Sequence, residues 1–164
     1  MAKSTIRPAT AGDLPEINAI YNHFVLASTC TYQTEPETAE ARAAWLQAHG
    51  DRYPITVAQR DGEIVGWASL SRFHVRAAYG KTVENSLYVH PDHHRQGIGW
   101  ALLTDLVSRA RALDYHTIIA GIDAEQTPSV ALHAKAGFTH AGHLKQVGFK
   151  FNRWLDVIYM QLML

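Results

Sequence analysis

The stretch from Val89 to Gly99, V-H-P-D-H-H-R-Q-G-I-G, joins a segment with strand periodicity to one with helix periodicity, and that junction narrows the folds open to this chain. Before it, Val83, Asn85, Leu87 and Val89 share one face of an extended segment, and Glu84, Ser86 and Tyr88 share the other. Pro91 has no N–H and ends the ladder, while Gly97 and Gly99 let the backbone approach a ligand without an intervening Cβ. After it, Ile98, Leu102, Leu103, Leu106, Val107, Ala110 and Leu113 recur at spacings of three and four, the apolar stripe of a helix. A helix that starts at these glycines points its free N–H groups and positive dipole end into the turn, where a pyrophosphate fits.

Two other phosphate motifs are excluded residue by residue. A P-loop needs Gly-Lys-Ser/Thr at the helix start, where this chain has Gly97-Ile98-Gly99-Trp100, and a dinucleotide fingerprint needs a third glycine where Leu102 stands. His90, His93 and His94 with Asp92 invite a metal reading. Adjacent His93 and His94 diverge in most backbone conformations, however, and no Cys or Glu completes a set at a familiar spacing, so no metal is expected.

The surrounding pattern predicts a short strand over Ser4 to Pro8, then a helix capped by Asp13 and running through Ile17, Ile20, Tyr21 and Phe24. A polar loop from Thr29 to Glu37 leads to a second helix over about Thr38 to Ala48, anchored by Trp45 and ended by Gly50. Asp61-Gly62 marks a hairpin between strands at Pro54 to Arg60 and Glu63 to Ser71. A loop from Arg72 to Gly80 precedes the central strand. Beyond the glycine turn and its helix come a strand at His116 to Ile122 and a short helix at about Pro128 to Lys135 that stops at Gly137. Strands near Thr139 to Gly148 and from Leu155 to Leu164 finish the chain. This β-α-α-β-β-β-α-β-α-β-β order predicts an α+β fold, a mixed, strongly twisted β-sheet with helices on both faces.

At 164 residues and 47% hydrophobic, with no linker-like block, the chain reads as a single domain over residues 1–164, one that buries roughly 70% of the surface its unfolded chain exposes. Lys plus Arg equals Asp plus Glu at 15 each, which argues against a nucleic-acid partner. Ten histidines make the charge rise as pH falls through about 6.5. Cys30 is the only cysteine, so no intrachain disulfide forms; flanked by Thr29 and Thr31, it reads as a plain thiol in a reducing compartment. Met1 to Arg7 lacks the apolar core of a signal peptide, and no apolar run reaches the ~18 residues of a membrane span. A cytoplasmic protein without a membrane partner is expected.

The strand, His-Pro-Asp link, basic residue, Gln-Gly-x-Gly and long helix together resemble the acetyl-CoA signature of the GNAT superfamily of N-acetyltransferases. Ile20-Tyr21-Asn22-His23, Thr82 to Val89, Leu132-His133-Ala134-Lys135-Ala136-Gly137-Phe138, and Val147-Gly148-Phe149-Lys150 with Trp154 and Asp156 resemble, in order, the phosphinothricin and methionine-sulfoximine acetyltransferase branch. The element order above is also that of the GNAT fold.

The resemblance implies acetyl-CoA as co-substrate, a small amino acid analogue as acceptor, and a homodimer. Leu87, Tyr88 and Val89 match the strand that holds the pantetheine arm; Arg95, Gln96, Gly97, Ile98, Gly99 and Trp100 match the pyrophosphate turn; Gln126 and Lys135 match further CoA contacts. Glu84 matches the branch's catalytic carboxylate, a base acting directly or through water. His133 stands where many relatives carry a thiolate-protonating tyrosine, and its role is acid, base paired with Glu84, or CoA contact. His74, Val75 and Arg76, with Glu84, Asn85 and Ser86, match acceptor-binding positions. The chain departs from the family at His94 (usually Arg or Gln), Arg95 (often Gly), His74 (Arg in close relatives) and Gln126 (Asn). Phe149, Phe151 and Trp154 belong either to a dimer contact or to the core. No residue reads as an acyl-carrying nucleophile, which implies direct transfer. The acceptors implied are phosphinothricin, methionine sulfoximine or methionine sulfone; the alternatives are ordinary amino acids, peptide N-termini, or a non-catalytic acetyl-CoA sensor.

Overall fold

The computed structural model describes residues 4–164, so the reading of Met1 to Arg7 lies partly outside the described residues. In chain order come β1 (Thr5–Pro8), α1 (Leu14–Ala27), α2 (Ala39–His49), β2 (Ile55–Arg60), β3 (Glu63–Arg72), β4 (Thr82–Val89), α3 (Ile98–Ala112), β5 (Thr117–Asp123), α4 (Thr127–Lys135), β6 (Thr139–Lys150) and β7 (Arg153–Met163). The strands form one sheet in the order β1-β2-β3-β4-β5-β7-β6. Every neighbouring pair is antiparallel except β4 and β5, which run parallel.

Strand alternation sorts the sheet's side chains onto two cores. On one face Val83, Leu87 and Val89 of β4, and Ile118, Ala120 and Ile122 of β5, pack on the predicted stripe of α3, with Val130 and Leu132 of α4 beside them. On the other, Val57, Ile64, Trp67 and Tyr88 pack on Ile17, Ile20, Tyr21 and Phe24 of α1 and Trp45 of α2. The helices therefore do lie on both faces. Arg42 of α2 is buried in the second core, its guanidinium 4.7 Å from the Tyr21 ring centroid and 4.6 Å from that of Trp45, where cation–π attraction offsets part of its lost hydration.

The turn chemistry is largely as expected. Thr38 caps α2 by accepting from the Ala41 N–H at 3.1 Å, and Asp61 and Gly62 both take positive φ in the β2–β3 hairpin. Asp13, expected to cap α1, does not. A 3-10 turn at Ala11–Asp13 precedes the helix, and the Asp13 carboxylate instead accepts from the Thr10 N–H and hydroxyl and from both terminal nitrogens of Arg7. Its pKa is lowered to about 2, first by the Arg7 hydrogen bond. Thr10-x-x-Asp13 is a capping box belonging to the short turn.

Candidate active site

The sheet opens at one place. β5 pairs with β4 only from Thr82↔Thr117 to Glu84↔Ile119, whereas β3 follows β4 all the way to Gly66↔Val89. From Asn85 onward one edge of β4 has no neighbouring strand. The gap forms a cleft of about 740 Å³ that reaches through the sheet to the glycine turn. An extended ligand with amide groups can complete the ladder on this edge.

The glycine turn is built for an anion. Arg95 (φ 58°) and Gly97 (φ 80°) both adopt left-handed backbone, and Ile98 then starts α3, so consecutive N–H groups converge at the helix's positive end. Glycine meets that demand freely at 97; Arg95 meets it under strain. The nearby histidines have separate tasks. His90 Nδ1 accepts from the Asp92 N–H, and His94 Nε2 donates to the Val89 carbonyl at 2.9 Å. Among the described residues no group of three His, Cys, Asp or Glu is placed to hold a metal.

Glu84 and its flanking residues divide between the two faces. On the α1 face, the Glu84 carboxylate lies 3.4 Å from where a β-carbon on Gly121 would stand, beside the Tyr159 ring. The Glu84 carboxylate takes part in no hydrogen bond or ion pair among the described residues, and burial raises its pKa above the ordinary carboxylate value. Asp123, on the same face two residues past Gly121, is buried and accepts from the Tyr32 hydroxyl at 2.8 Å and the Glu125 N–H at 2.9 Å. On the α3 face, Asn85 Nδ2 lies 3.0 Å from His133 Nε2, and His133 Nδ1 lies 2.8 Å from the Ser129 carbonyl. His133 therefore sits across the sheet from Glu84. Their expected pairing as a base dyad has no contact to support it.

Of the predicted site residues, Glu84, Asn85, Ser86, Leu87, Tyr88, Val89, Arg95, Gly97, Ile98, Gly99, Trp100, Gln126 and His133 all line this cleft. Five others stand apart from its lining. Gln96 turns back, its Nε2 donating to the Asp92 carbonyl and its Oε1 accepting from Arg60. Lys135 places its ammonium 4.5 Å from the Trp100 ring centroid. His74, Val75 and Arg76 occupy an exposed loop before β4, where His74 Nδ1 accepts from the Arg76 N–H and its ring leans on Tyr79. Gln126, the longer residue at an asparagine position, reaches over to the Thr29 hydroxyl.

Sequence reasoning missed the wall that the loop after α1 builds with β5 and β7. Cys30, Thr31 and Tyr32 line the cleft from the loop after α1, together with Gly121, Asp123 and Tyr159. Lys150 is buried and donates to the Ser28 and Thr31 carbonyls. Tyr32 also donates to the Asp156 carbonyl, and its ring occupies the space above Gly148, where a β-carbon would come within 2.4 Å of it. Asn22 holds the far end of the loop through the Glu37 N–H and carbonyl. The signal was present: Asn22, Gly148, Lys150 and Asp156 all stand in the quoted motifs, and each fastens this loop. Cys30 is half-buried with its thiol pKa raised by desolvation, the opposite of an activated nucleophile.

Comparison with known proteins decides the family. Residues 17–138 match the acetyltransferase (GNAT) family. The chain belongs to the GNAT acetyltransferases. It is 38% identical over 161 residues to the L-amino acid N-acyltransferase of Escherichia coli, and equally so to the L-methionine sulfoximine/L-methionine sulfone acetyltransferase of Salmonella typhimurium, covering 98% of this chain and 94% of each relative. A crystal structure of a GNAT superfamily phosphinothricin acetyltransferase from Sinorhizobium meliloti in complex with acetyl-CoA superposes with a TM-score of 0.96 at 40% identity, covering 99% of this chain and 89% of that one. This GNAT chain is an acetyl-CoA-dependent N-acetyltransferase. The gap between β4 and β5 and the turn at Arg95 to Gly99 supply the two things such an enzyme needs to grip its co-substrate, an open strand edge and an anion nest.

Proposed function

We propose that this enzyme, as one catalytic domain spanning the chain, acetylates the α-amino group of a small amino acid analogue, with phosphinothricin, methionine sulfoximine and methionine sulfone as the leading acceptors. The observation that carries the reading is the unpartnered, partly desolvated Glu84 at the mouth of the β4–β5 gap. The relatives' names support the acceptor class.

In this reading Leu87, Tyr88 and Val89 pair with the pantetheine arm, the N–H groups of Arg95 to Trp100 hold the pyrophosphate, and Gln126 and Lys135 flank the cofactor. The acceptor's ammonium enters on the α1 face between Glu84 and Asp123, with the main chain of Asn85, Ser86 and the loop at His74, Val75 and Arg76 holding its remaining groups. Glu84 takes one proton from the ammonium, the amine nitrogen attacks the thioester carbonyl, and the C–S bond breaks with its electron pair leaving on sulfur as the CoA thiolate. The second proton of that nitrogen is lost as the neutral amide forms and passes through solvent to the thiolate, giving free CoA. A thiolate of ordinary pKa ~8.5 leaves without needing a strong acid. Cys30, held as a thiol, forms no acyl intermediate, so transfer is direct.

The chain is further proposed to act in the cytoplasm as a homodimer. None of the described helices is long and apolar enough to cross a membrane. The outer edge of the sheet exposes Leu144, Val147, Phe149, Phe151 and Trp154, an apolar group that a second copy would cover. The test of function is CoA release from acetyl-CoA against a panel of phosphinothricin, methionine sulfoximine, methionine sulfone, ordinary amino acids, polyamines and aminoglycosides. Selective turnover of the first three is expected. The second reading, ordinary amino acids, is favoured by the Escherichia coli relative and predicts turnover of the amino acids instead. Acetyl-CoA binding with no turnover of any amine would sink both.

A further inference from the structure

We infer that His133 is a positioning residue: a neutral imidazole with its proton on Nδ1, it holds the Asn85 carboxamide at the point where the sheet opens and passes no proton during transfer. The inference rests on the reading of the β4–β5 gap as the acetyl-transfer site with Glu84 as base.

The hydrogen-bond inventory leaves one consistent assignment. The Ser129 carbonyl only accepts, so His133 Nδ1, 2.8 Å away, carries a hydrogen. Asn85 Nδ2 only donates, so His133 Nε2, 3.0 Å away, presents its lone pair. Rotating the Asn85 amide to put its oxygen there would demand hydrogens on both ring nitrogens, hence an imidazolium. The ring is 3% exposed, the Phe138 ring meets it at 5.0 Å, and no carboxylate contacts it, so nothing balances that charge. Desolvation also lowers the His133 pKa, in agreement. Both nitrogens are thus occupied, and neither is free to meet a thiolate or an ammonium.

The location explains what the link accomplishes. Asn85 is the first residue of β4 that β5 no longer pairs. On its other edge β4 stays bonded to β3, but on the open edge no strand fixes its path. The imidazole supplies a directional tie from α4 to that first unpaired residue, on the face opposite the Glu84 carboxylate. Asn85 Oδ1 is meanwhile buried with no partner, a cost that two apolar residues filling the same space would avoid. A polar pair kept at that cost specifies geometry, here the orientation of the strand that carries Glu84.

The test combines a spectroscopic and a kinetic readout. In protein labelled with 15N-histidine, His133 is expected as the neutral Nδ1–H tautomer throughout pH 6 to 8; an Nε2–H tautomer or an imidazolium in that range would overturn the inference. For kinetics, His133→Phe and Asn85→Leu are each expected to lower kcat by about 30-fold while leaving the pH profile's shape intact, and the double variant to lose no more than either alone. His133→Gln, whose amide reaches the Asn85 nitrogen but does not titrate, should recover about tenfold over His133→Phe. If His133→Gln instead matches His133→Phe and abolishes a limb of the pH profile, His133 transfers a proton. The tautomer is read in the resting protein, so it decides the point even if no acceptor on the panel is turned over, and Glu84→Gln tests the base assignment independently.

Discussion

Glu84 and Gly121 meet where β4 and β5 part, a carboxylate oxygen of one lying 3.4 Å from the place a β-carbon on the other would take. That distance is an ordinary contact, so Gly121→Ala should be tolerated. Gly121→Val is different, because its γ-carbons enter the space shared by the Glu84 carboxylate and the Tyr159 ring. Valine suits a strand, so the fold should survive while the base is displaced. The expected result is an unchanged KM for acetyl-CoA with kcat lowered by about 100-fold. Steady-state kinetics would show it, and an unaltered kcat would remove Glu84 from the reaction path.

Burial raises the Glu84 pKa from 4.5, and this has one consequence for rate and another for stability. Only the deprotonated carboxylate accepts a proton, so kcat/KM should fall as pH drops through the raised value, an acid limb above the ordinary carboxylate range. Glu84→Gln should lower kcat by about 10²–10⁴ and remove that limb. For stability the sign runs the other way. A carboxyl group whose folded pKa is raised contributes fully below its unfolded pKa, and that contribution is lost as pH rises through the folded value. Glu84→Gln should therefore melt above the wild type at pH 7, with the difference gone near pH 4. Paired melting curves at the two pH values check it.

Legibility from sequence followed the range of the interaction. The α3 stripe, the alternation of β4 and the Asp61-Gly62 hairpin are local patterns, and each formed where its periodicity or turn residues put it. The boundary errors are local too: β7 begins at Arg153 because Phe151 and Asn152 make the turn in left-handed backbone, and although Asn suits that conformation, Phe does not signal it. Alternation alone assigned Glu84 and Asn85 to opposite faces. It carries no information about which face α4 covers, and so does not separate His133 from Glu84. The Tyr32 wall was illegible for the same reason, since its hydroxyl partner Asp123 is 91 residues away.

Arg95 holds a left-handed backbone conformation that glycine adopts without cost. Among the described residues its side chain makes no ion pair that would repay the strain. Arg95→Gly should therefore stabilise the folded protein by about 1 kcal/mol, a rise in Tm of roughly 2–4 °C for a domain of this size. The substitution also removes a cation from the mouth of the pyrophosphate turn, so KM for acetyl-CoA should rise while kcat holds. Calorimetry and kinetics on one variant would separate the effects, and a lower Tm would mean the arginine side chain is anchored in the fold.

The β6–β7 hairpin gives the most direct test of the proposed dimer. Phe151 and Asn152 both have positive φ, 51° and 58°, as a two-residue hairpin turn requires. A bulky aromatic is poorly suited to the first of these positions, and Asn is well suited. Phe151 is 52% exposed, with Phe149 and Trp154 packed edge to face next to it on the sheet's outermost pair of strands. The Lys150 ammonium lies 5.0 Å from the Phe151 ring centroid. If the aromatic is retained for a partner, Phe151→Asn should act in opposite directions on folding and association: the isolated subunit gains about 1 kcal/mol, while the dimer dissociates more readily. Trp154→Lys should give monomers outright by placing a charge in the apolar group. Light scattering across a concentration series, with denaturant unfolding of each variant, would show both effects. A wild type that stays monomeric at every concentration would return these side chains to the surface of a single copy.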